Sequence, residues 1–370
     1  MPAAPRIPAT GVLALLLALV LGGCGISAGG GQGGDEAATA GGVTPALADV
    51  EPLADVRDWE GATTAVPDDR LEPVADDPEP ALPVTVTDSQ GTEVTVTDAS
   101  RVLALDIYGT LSRTVHELGL GERLVGRDVS TQFDAAADLP LVTQNGHDLN
   151  AEAILGLDPT LIITDTSLGP WDVVLQMRDA GIPVVVVDSH RGLDNVASLT
   201  REVAAALGVP DAGAALAERT QAQVDETVAR IEAVAPAEAG ERLRTVFLYV
   251  RGQSGVYYMF GEGSGADSLI EAVGGYDVAA EIGWNGMKPL TDEGLVAAQP
   301  DLVLMMTGGL ESAGGVDGLL ERLPALAQTP AGQHQRFVAM EDSQILGFGP
   351  ATAAVLDALA VGIYAPDAAS

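Results

Sequence analysis

The sequence predicts an α/β protein built from two Rossmann-like lobes that are joined by a long helical spacer. Short, uninterrupted runs of apolar and mostly β-branched residues alternate with amphipathic helical stretches, as in parallel sheets that are covered on both faces. Helix-forming residues fill positions 193–234, between two such regions. A segment of the first region recurs in the second, which indicates two lobes of the same kind.

The elements follow in order from a hairpin at residues 82–98, whose strands alternate apolar and polar residues around Ser89-Gln90-Gly91. In the first lobe we predict strands at 102–105, 161–163 and 183–187, and helices at 109–118, 149–155 and 171–180. In the second lobe we predict strands at 245–250, 302–305 and 336–340. The spacer should break near Gly208-Val209-Pro210. The body therefore divides into an N-terminal lobe (82–191), a linking helix (192–236) and a C-terminal lobe (237–370).

The N-terminal end of the chain predicts a lipoprotein. Arg6 precedes an apolar run at 12–21, which is too short to cross a bilayer and ends in a Leu-Gly-Gly-Cys cleavage box. We expect residues 1–23 to be removed as a signal peptide and Cys24 to be acylated, for example with palmitate, so that the lipid anchors the protein on the outer side of the cell membrane. Cys24 is the only cysteine, which excludes disulfides from the mature fold. The alternative is a soluble secreted protein with an incidental cysteine.

The segment at 24–81 is rich in Gly, Ala, Asp and Pro and has almost no aromatic or periodic apolar content. Such a composition buries no core, so we predict a disordered acidic tether between the lipid and the lobes. The chain of 370 residues has a formal net charge of −35. This charge argues against nucleic acid and anionic lipid surfaces as partners.

The recurring segment carries the most specific pattern of the chain. Residues 149–163 align without gaps with residues 290–304, and each copy has a polar loop, an Asn or Thr cap, a short helix, a proline and a buried strand. With this duplicated unit, residues 82–366 resemble the class III periplasmic binding proteins, the helix-linked, two-lobed family that binds ferric siderophores, cobalamin and haem. The resemblance implies a component of an ABC importer outside the cytoplasm, and we expect a monomer.

The same resemblance implies a docking role for Glu152 and Glu293. In that family one exposed glutamate on each lobe contacts arginines of the membrane permease, and these residues occupy the matching positions of the repeat. Two carboxylates far apart on a rigid body make a bivalent contact whose spacing the lobes determine. The alternative is that each is an ordinary first-turn glutamate favoured by the helix dipole. The permease with its ATPase is therefore the predicted protein partner.

Two loops at the carboxyl ends of predicted strands are candidates for the ligand site. His147, one of four histidines, follows Gly146 in a polar loop before the Glu152 helix. Tyr249 and Arg251 are two positions apart on a strand and therefore on the same face. An arginine beside a tyrosine stabilises the phenolate, which suits ferric iron. Taken singly, such a strand pair is more often a surface pair, and a loop histidine is more often solvated.

In this combination the residues resemble the haem-binding members of the family that serve actinobacterial haem importers. The resemblance implies that Tyr249 and His147 bind haem iron from opposite faces, with Arg251 behind Tyr249. The pocket also needs an apolar wall and cations for the haem propionates. The candidates for the wall are Met306, Trp284 and Tyr258, and those for the propionates are Arg127 and Lys288.

The sequence leaves an alternative kind of ligand open and disfavours two other classes of protein. A ferric siderophore or cobalamin is the alternative ligand, which Arg251, Trp284 and Tyr249 would hold as an anionic chelate. An enzyme is disfavoured because the sequence has no His-Glu-x-x-His, no Gly-x-Ser-x-Gly and no P-loop. A structural envelope lipoprotein is disfavoured because a tether has no need of two lobes and a cleft.

Overall fold

The computed structural model describes residues 42–369. The predicted signal peptide, the lipidation site Cys24 and the first part of the predicted tether lie outside these residues. Among the helices of the described part, none combines the length and the apolar composition that a membrane span requires.

The described residues form alternating strands and helices. The strands are β1 (Ala62–Thr64), β2 (Val84–Thr87), β3 (Glu93–Val96), β4 (Val102–Leu105), β5 (Thr143–Gln144), β6 (Asp148–Leu149), β7 (Leu161–Thr164), β8 (Val184–Val186), β9 (Arg244–Arg251), β10 (Val256–Phe260), β11 (Tyr276–Asp277), β12 (Met287–Pro289), β13 (Leu302–Met306) and β14 (Phe337–Met340). The α-helices are α1 (Thr110–Glu117), α2 (Ala151–Gly156), α3 (Trp171–Asp179), α4 (Val196–Ala206), α5 (Pro210–Val234), α6 (Ala266–Ala272), α7 (Val278–Glu281), α8 (Asp292–Ala298), α9 (Thr307–Ala313), α10 (Gly315–Arg322), α11 (Pro330–Gln333) and α12 (Thr352–Tyr364).

The N-terminal lobe contains a three-stranded parallel sheet in the order β4-β7-β8. Val102 and Ala104 point into the apolar cluster that α1 and α4 cover. Leu103 and Leu105 point to the other side, into the cluster that α2 and α3 cover. Because side chains alternate along a strand, an apolar run of four residues is buried on both faces. The predicted hairpin is present as the antiparallel pair β2–β3.

The C-terminal lobe contains a larger sheet in the order β1-β14-β13-β9-β10-β12, with β11 also paired to β9. Strands β1, β14, β13 and β9 are parallel, whereas β10 is antiparallel to both β9 and β12. Phe247 of β9 lies in the cluster covered by α6 and α12, and Val246 and Leu248 lie in the cluster on the opposite face. The prediction of two α/β lobes is confirmed.

Two helices make up the spacer, and the predicted break between them is confirmed. The chain turns at Gly208, whose φ is 72°, and Pro210 occupies the first turn of α5. Helix α4 packs on the N-terminal lobe through Leu199 and Val203, and Val196 at its start joins the core of the C-terminal lobe. Helix α5 has 25 residues, a length of about 37 Å. Leu216 of α5 joins the core of the N-terminal lobe and Ile231 joins that of the C-terminal lobe, so α5 is the helix that connects the lobes.

Residues 42–81, here named the N-terminal strap, begin on the C-terminal lobe. Strand β1 pairs in parallel with β14 in the register Ala62↔Phe337, and thus extends the sheet at its edge. The buried side chain of Leu47 belongs to the core of that lobe, and its N–H donates a 2.9 Å hydrogen bond to Oδ2 of Asp357. The strap therefore supplies both a strand and core residues to a lobe that begins more than 150 residues later in the sequence.

The later part of the strap lies on the N-terminal lobe. Asp69 forms an ion pair with Arg113 of α1, and the N–H of Val74 donates a 2.8 Å hydrogen bond to the carbonyl of Glu117. The prediction of a disordered tether is therefore wrong for residues 42–81. The sequence pattern did not reveal this order because β1 is a three-residue strand without a long apolar run. Residues distant in sequence, on β14, hold β1 in place.

Candidate functional site

The end of β9 forms an aromatic surface together with β10. The antiparallel register places Tyr258 opposite Tyr249 and Phe260 opposite Phe247, so these rings share one face of the sheet. The Tyr249 ring is stacked with Phe260 at 6.2 Å between centroids and 22° between planes, and it meets Tyr258 edge-on at 6.5 Å. We name Tyr249, Tyr258 and Phe260 the aromatic wall. Tyr249 and Tyr258 are partly exposed, so the wall has a surface that a flat apolar ligand can contact.

Arg251 lies over this wall but in a different arrangement from the predicted one. Its guanidinium carbon is 4.6 Å from the centroid of the Tyr249 ring, a cation–π contact. Its Nη1 donates to the carbonyl of Val250 (3.2 Å) and is 3.3 Å from Oδ2 of Asp342. Among the contacts of residues 42–369 there is no hydrogen bond from Arg251 to the phenolic oxygen of Tyr249. Arg251 is therefore paired with a carboxylate that the sequence pattern did not indicate.

His147 is presented by the turn of the β5–β6 hairpin. Asn145 and Gly146 both have positive φ, 50° and 90°, which allows the tight turn before the imidazole. The pKa of His147 is lowered, first by partial desolvation and then by the positive charge of Arg251, while Asp148 and Asp342 act in the opposite direction. Arg251 and Asp342 belong to the other lobe, so His147 lies within electrostatic range of this charged pair across the cleft.

The other predicted pocket residues do not all lie on the face of the large sheet that carries the aromatic wall. Met306 is buried at the end of β13, in the apolar cluster against which Tyr249 packs. Arg127 is in the N-terminal lobe, where its guanidinium donates to the carbonyl of Thr131 at 3.3 Å. Trp284 packs against the cluster on the opposite face of the large sheet and donates to the carbonyl of Met259 at 2.9 Å. Lys288 is exposed beside Trp284, with Nζ 5.8 Å from that ring.

The two glutamates of the repeat are at equivalent positions. Glu152 is in the first turn of α2, whose N-cap Asn150 accepts hydrogen bonds from the N–H groups of Glu152 and Ala153. Glu293 is in the first turn of α8, whose N-cap Thr291 accepts from the N–H of Gly294. Both glutamates are exposed, and neither has an ion pair within the described part of the chain. The predicted Asn and Thr caps are thus confirmed.

A buried charge network underlies the N-terminal lobe's side of the cleft. Asp106 directly follows β4 and Asp165 directly follows β7, and both carboxylates contact Nη2 of Arg191, at 3.3 Å and 2.6 Å. Burial raises the pKa of Asp106 to about 6, against the opposing charge of Arg191. Burial also raises the pKa of Asp128 to about 7, although Asp128 accepts hydrogen bonds from the backbone of Asp106 and Thr131.

We did not predict this network, although a signal for part of it is present. Asp106 and Asp165 each come immediately after a buried strand, and polar residues at the carboxyl ends of parallel strands often face a ligand crevice. Arg191 also lies over the ring of Tyr108, at 5.5 Å. Tyr108 in turn lines a cavity of about 240 Å³, which Gln132 of the N-terminal lobe and Glu341 and Phe348 of the C-terminal lobe also line. The network therefore supports the wall of an inter-lobe cavity.

Comparison with known proteins agrees with the two-lobed fold. Residues 107–343 match the model of a family described as periplasmic binding protein. The chain is 43% identical in sequence to the heme binding protein HmuT, whose crystal structure is known. The match covers 84% of this chain and 99% of HmuT, with a TM-score of 0.80. Variants of HmuT in which one arginine, one tyrosine or one histidine is replaced by alanine match comparably, at 42% identity.

Two more distant relatives bind different ligands. The periplasmic heme-binding protein RhuT from Roseiflexus sp. RS-1 is 36% identical, with 74% of this chain and 100% of that one covered and a TM-score of 0.66. A cobalamin-binding protein of Halobacterium salinarum is 29% identical over 234 residues, which are 60% of this chain. The match spans 58% of the length of that relative.

Proposed function

Because this chain belongs to the periplasmic binding protein family, we propose that it is the monomeric substrate-binding component of an ABC importer and that its cargo is haem. The family places it outside the cytoplasm as a binding protein and not an enzyme. The observation that carries the haem proposal is the aromatic wall with Tyr249 and Arg251 on one lobe and His147 within electrostatic range on the other.

The chemistry of these groups suits ferric haem. A tyrosinate oxygen and an imidazole nitrogen are both established iron ligands, and they would approach the porphyrin from its two faces. Tyr258 and Phe260 would pack on the ring, with Met306 beneath them. Arg127 is the candidate partner of a propionate, whereas the placement of Trp284 and Lys288 on the other face of the sheet gives no support to their role. In the HmuT variants the replaced tyrosine and arginine are two positions apart, as Tyr249 and Arg251 are.

A second ligand is favoured by one observation. The relative from Halobacterium salinarum is a cobalamin-binding protein, and cobalamin is also a large, flat metal chelate. Against cobalamin as the cargo stands the higher identity and coverage of the heme-binding structures. A ferric siderophore would use the same cleft, with Arg251 facing its negative charge.

An absorbance titration with hemin tests the haem proposal. The protein should begin at residue 25, which keeps the N-terminal strap. We expect a saturable one-to-one Soret change in the wild type. Tyr249→Phe removes only the phenolic oxygen and should weaken hemin binding by about tenfold or more. His147→Ala should shift the Soret band and weaken binding less, since one axial ligand remains.

Matched variants control for general damage. Tyr257→Phe makes the same chemical change at the neighbouring position of β10, whose ring packs on the opposite face of the sheet, and His190→Ala removes an exposed histidine that pairs with Asp194. Both should bind hemin as the wild type does. A wild-type protein that saturates with cobalamin but not with hemin would contradict haem as the cargo and would favour the second ligand.

Because the chain belongs to the periplasmic binding protein family, we also propose that Glu152 and Glu293 dock onto the permease. We propose in addition that a lipid on Cys24 holds the protein at the membrane. The support is the equivalent position of the two exposed glutamates on separate lobes. In cells that depend on this importer, replacing both glutamates by alanine should reduce the rate of haem uptake by roughly tenfold, because two charge contacts are lost together. Hemin affinity of the purified variant should be unchanged.

The control for this experiment is the pair Asp172→Ala and Asp211→Ala. These are exposed first-turn carboxylates of α3 and α5, so they carry the same helix-dipole role without the predicted docking role. Uptake at the wild-type rate by the double glutamate variant would rule out docking through these residues.

In the same cells the Cys24→Ala protein should leave the membrane fraction, and its retention there would argue against the lipid anchor.

A further inference from the structure

Asp342 follows β14 at the carboxyl edge of the large sheet, beside the aromatic wall. Its Oδ1 accepts a 2.9 Å hydrogen bond from the N–H of Gly308, which fixes the carboxylate at the start of α9. Its Oδ2 is 3.3 Å from Nη1 of Arg251. The carboxylate therefore determines where the guanidinium lies, which is over the face of the Tyr249 ring.

We propose that Asp342 is a positioning residue that competes with Tyr249 for Arg251 and thereby promotes the release of haem. In the structure, Asp342 holds Arg251 on the face of the Tyr249 ring. When iron binds, Tyr249 carries a negative charge on its oxygen, and this charge attracts the guanidinium more strongly than a neutral phenol does. One arginine then has two anionic partners.

The exposure of the ion pair shows that the exchange is feasible. The side chain of Arg251 is 37% exposed and that of Asp342 is 29% exposed. A pair this accessible to water is weak, so Arg251 can leave Asp342 without a large loss of free energy. A buried pair such as Arg191 with Asp165 would not exchange in this way. Because Asp342 remains close to Arg251, it favours the return of the arginine and the loss of the tyrosinate bond.

The inference rests on the proposed haem site and is tested by the rate of haem release. Asp342→Asn keeps an amide oxygen for the Gly308 N–H and removes the charge that faces Arg251. Release of haem from each loaded protein to excess apomyoglobin is followed by absorbance. We expect Asp342→Asn to release haem roughly two- to fivefold more slowly than the wild type. Its tyrosinate-to-iron charge-transfer band should also shift, because Arg251 is bound more closely to the tyrosinate.

Testing Asp342→Asn in the Arg251→Ala variant distinguishes an effect through the position of Arg251 from a general effect of the lost negative charge. In Arg251→Ala, the further change Asp342→Asn should alter neither the release rate nor the spectrum. Glu311→Gln removes the same charge from an exposed residue of α9 that forms no ion pair within residues 42–369, and it should behave as the wild type. Equal release rates for Asp342→Asn and the wild type, or an equal effect without Arg251, would overturn the inference. A wild type that binds no haem would instead overturn the proposed function itself.

Discussion

Replacing Arg191 with methionine should lower the free energy of unfolding by about 3–5 kcal/mol at pH 8, the largest effect expected from a single substitution in this protein. The side chain of Arg191 is 2% exposed, and those of Asp106 and Asp165 are fully buried. Methionine has a similar length but no charge, so the variant retains two buried carboxylates without their cation. Equilibrium unfolding in urea measures the loss.

The loss should be smaller at pH 5. The pKa of Asp106 is already raised to about 6 by burial, above its ordinary value of 3.8. A carboxyl group with a raised pKa in the folded state binds a proton more readily there than in the unfolded chain. Its burial therefore costs stability above the folded pKa, and the cost disappears as pH falls towards 3.8. Without Arg191 the pKa of Asp106 rises further, so protonation relieves more of the damage at pH 5 than at pH 8.

Arg70→Met is the control, because Arg70 forms a highly exposed ion pair with Asp68. That variant should unfold at nearly the same urea concentration as the wild type at both pH values. If Arg191→Met lost the same free energy at pH 5 and pH 8, the carboxylates would not be the source of the instability.

Removing the N-terminal strap should destabilise the protein by about 3–6 kcal/mol, from the buried side chains of Leu47 and Val56 alone. Starting the chain at residue 82 also removes β1 and leaves the edge of β14 unpaired, which favours association between sheets. On the N-terminal lobe, Arg113 loses Asp69, one of its two carboxylate partners, and keeps Glu117. Thermal unfolding and light scattering measure the two consequences.

A chain that begins at residue 42 is the matched control, since it keeps every contact of the strap. It should melt at the temperature of the chain that begins at residue 25. If the chain that begins at residue 82 melted at that temperature as well, the strap would be dispensable for stability. A hemin titration on that shortest chain is uninformative unless this comparison has been made first.

Most of the regular structure was predictable because it depends on local patterns. The buried runs at 102–105 and 302–305 became β4 and β13, since strands covered on both faces need uninterrupted apolar residues. The break at Gly208 and the caps Asn150 and Thr291 follow from backbone conformation and from hydrogen bonds within a few residues. Alternation along β9 likewise placed Phe247 and Tyr249 on the same face before any packing was known.

The amino-acid sequence by itself thus determined the two α/β lobes, the α5 connection and the candidate ligands Tyr249 and His147. Only the tertiary structure decided that residues 42–81 strap the lobes together, that Asp342 holds Arg251, and that Arg191 pairs with Asp106 and Asp165. Each of these contacts joins residues far apart in the chain. Their stability comes from pairing a strand edge or a desolvated charge with whatever the fold brings near, and no local periodicity records such a partner.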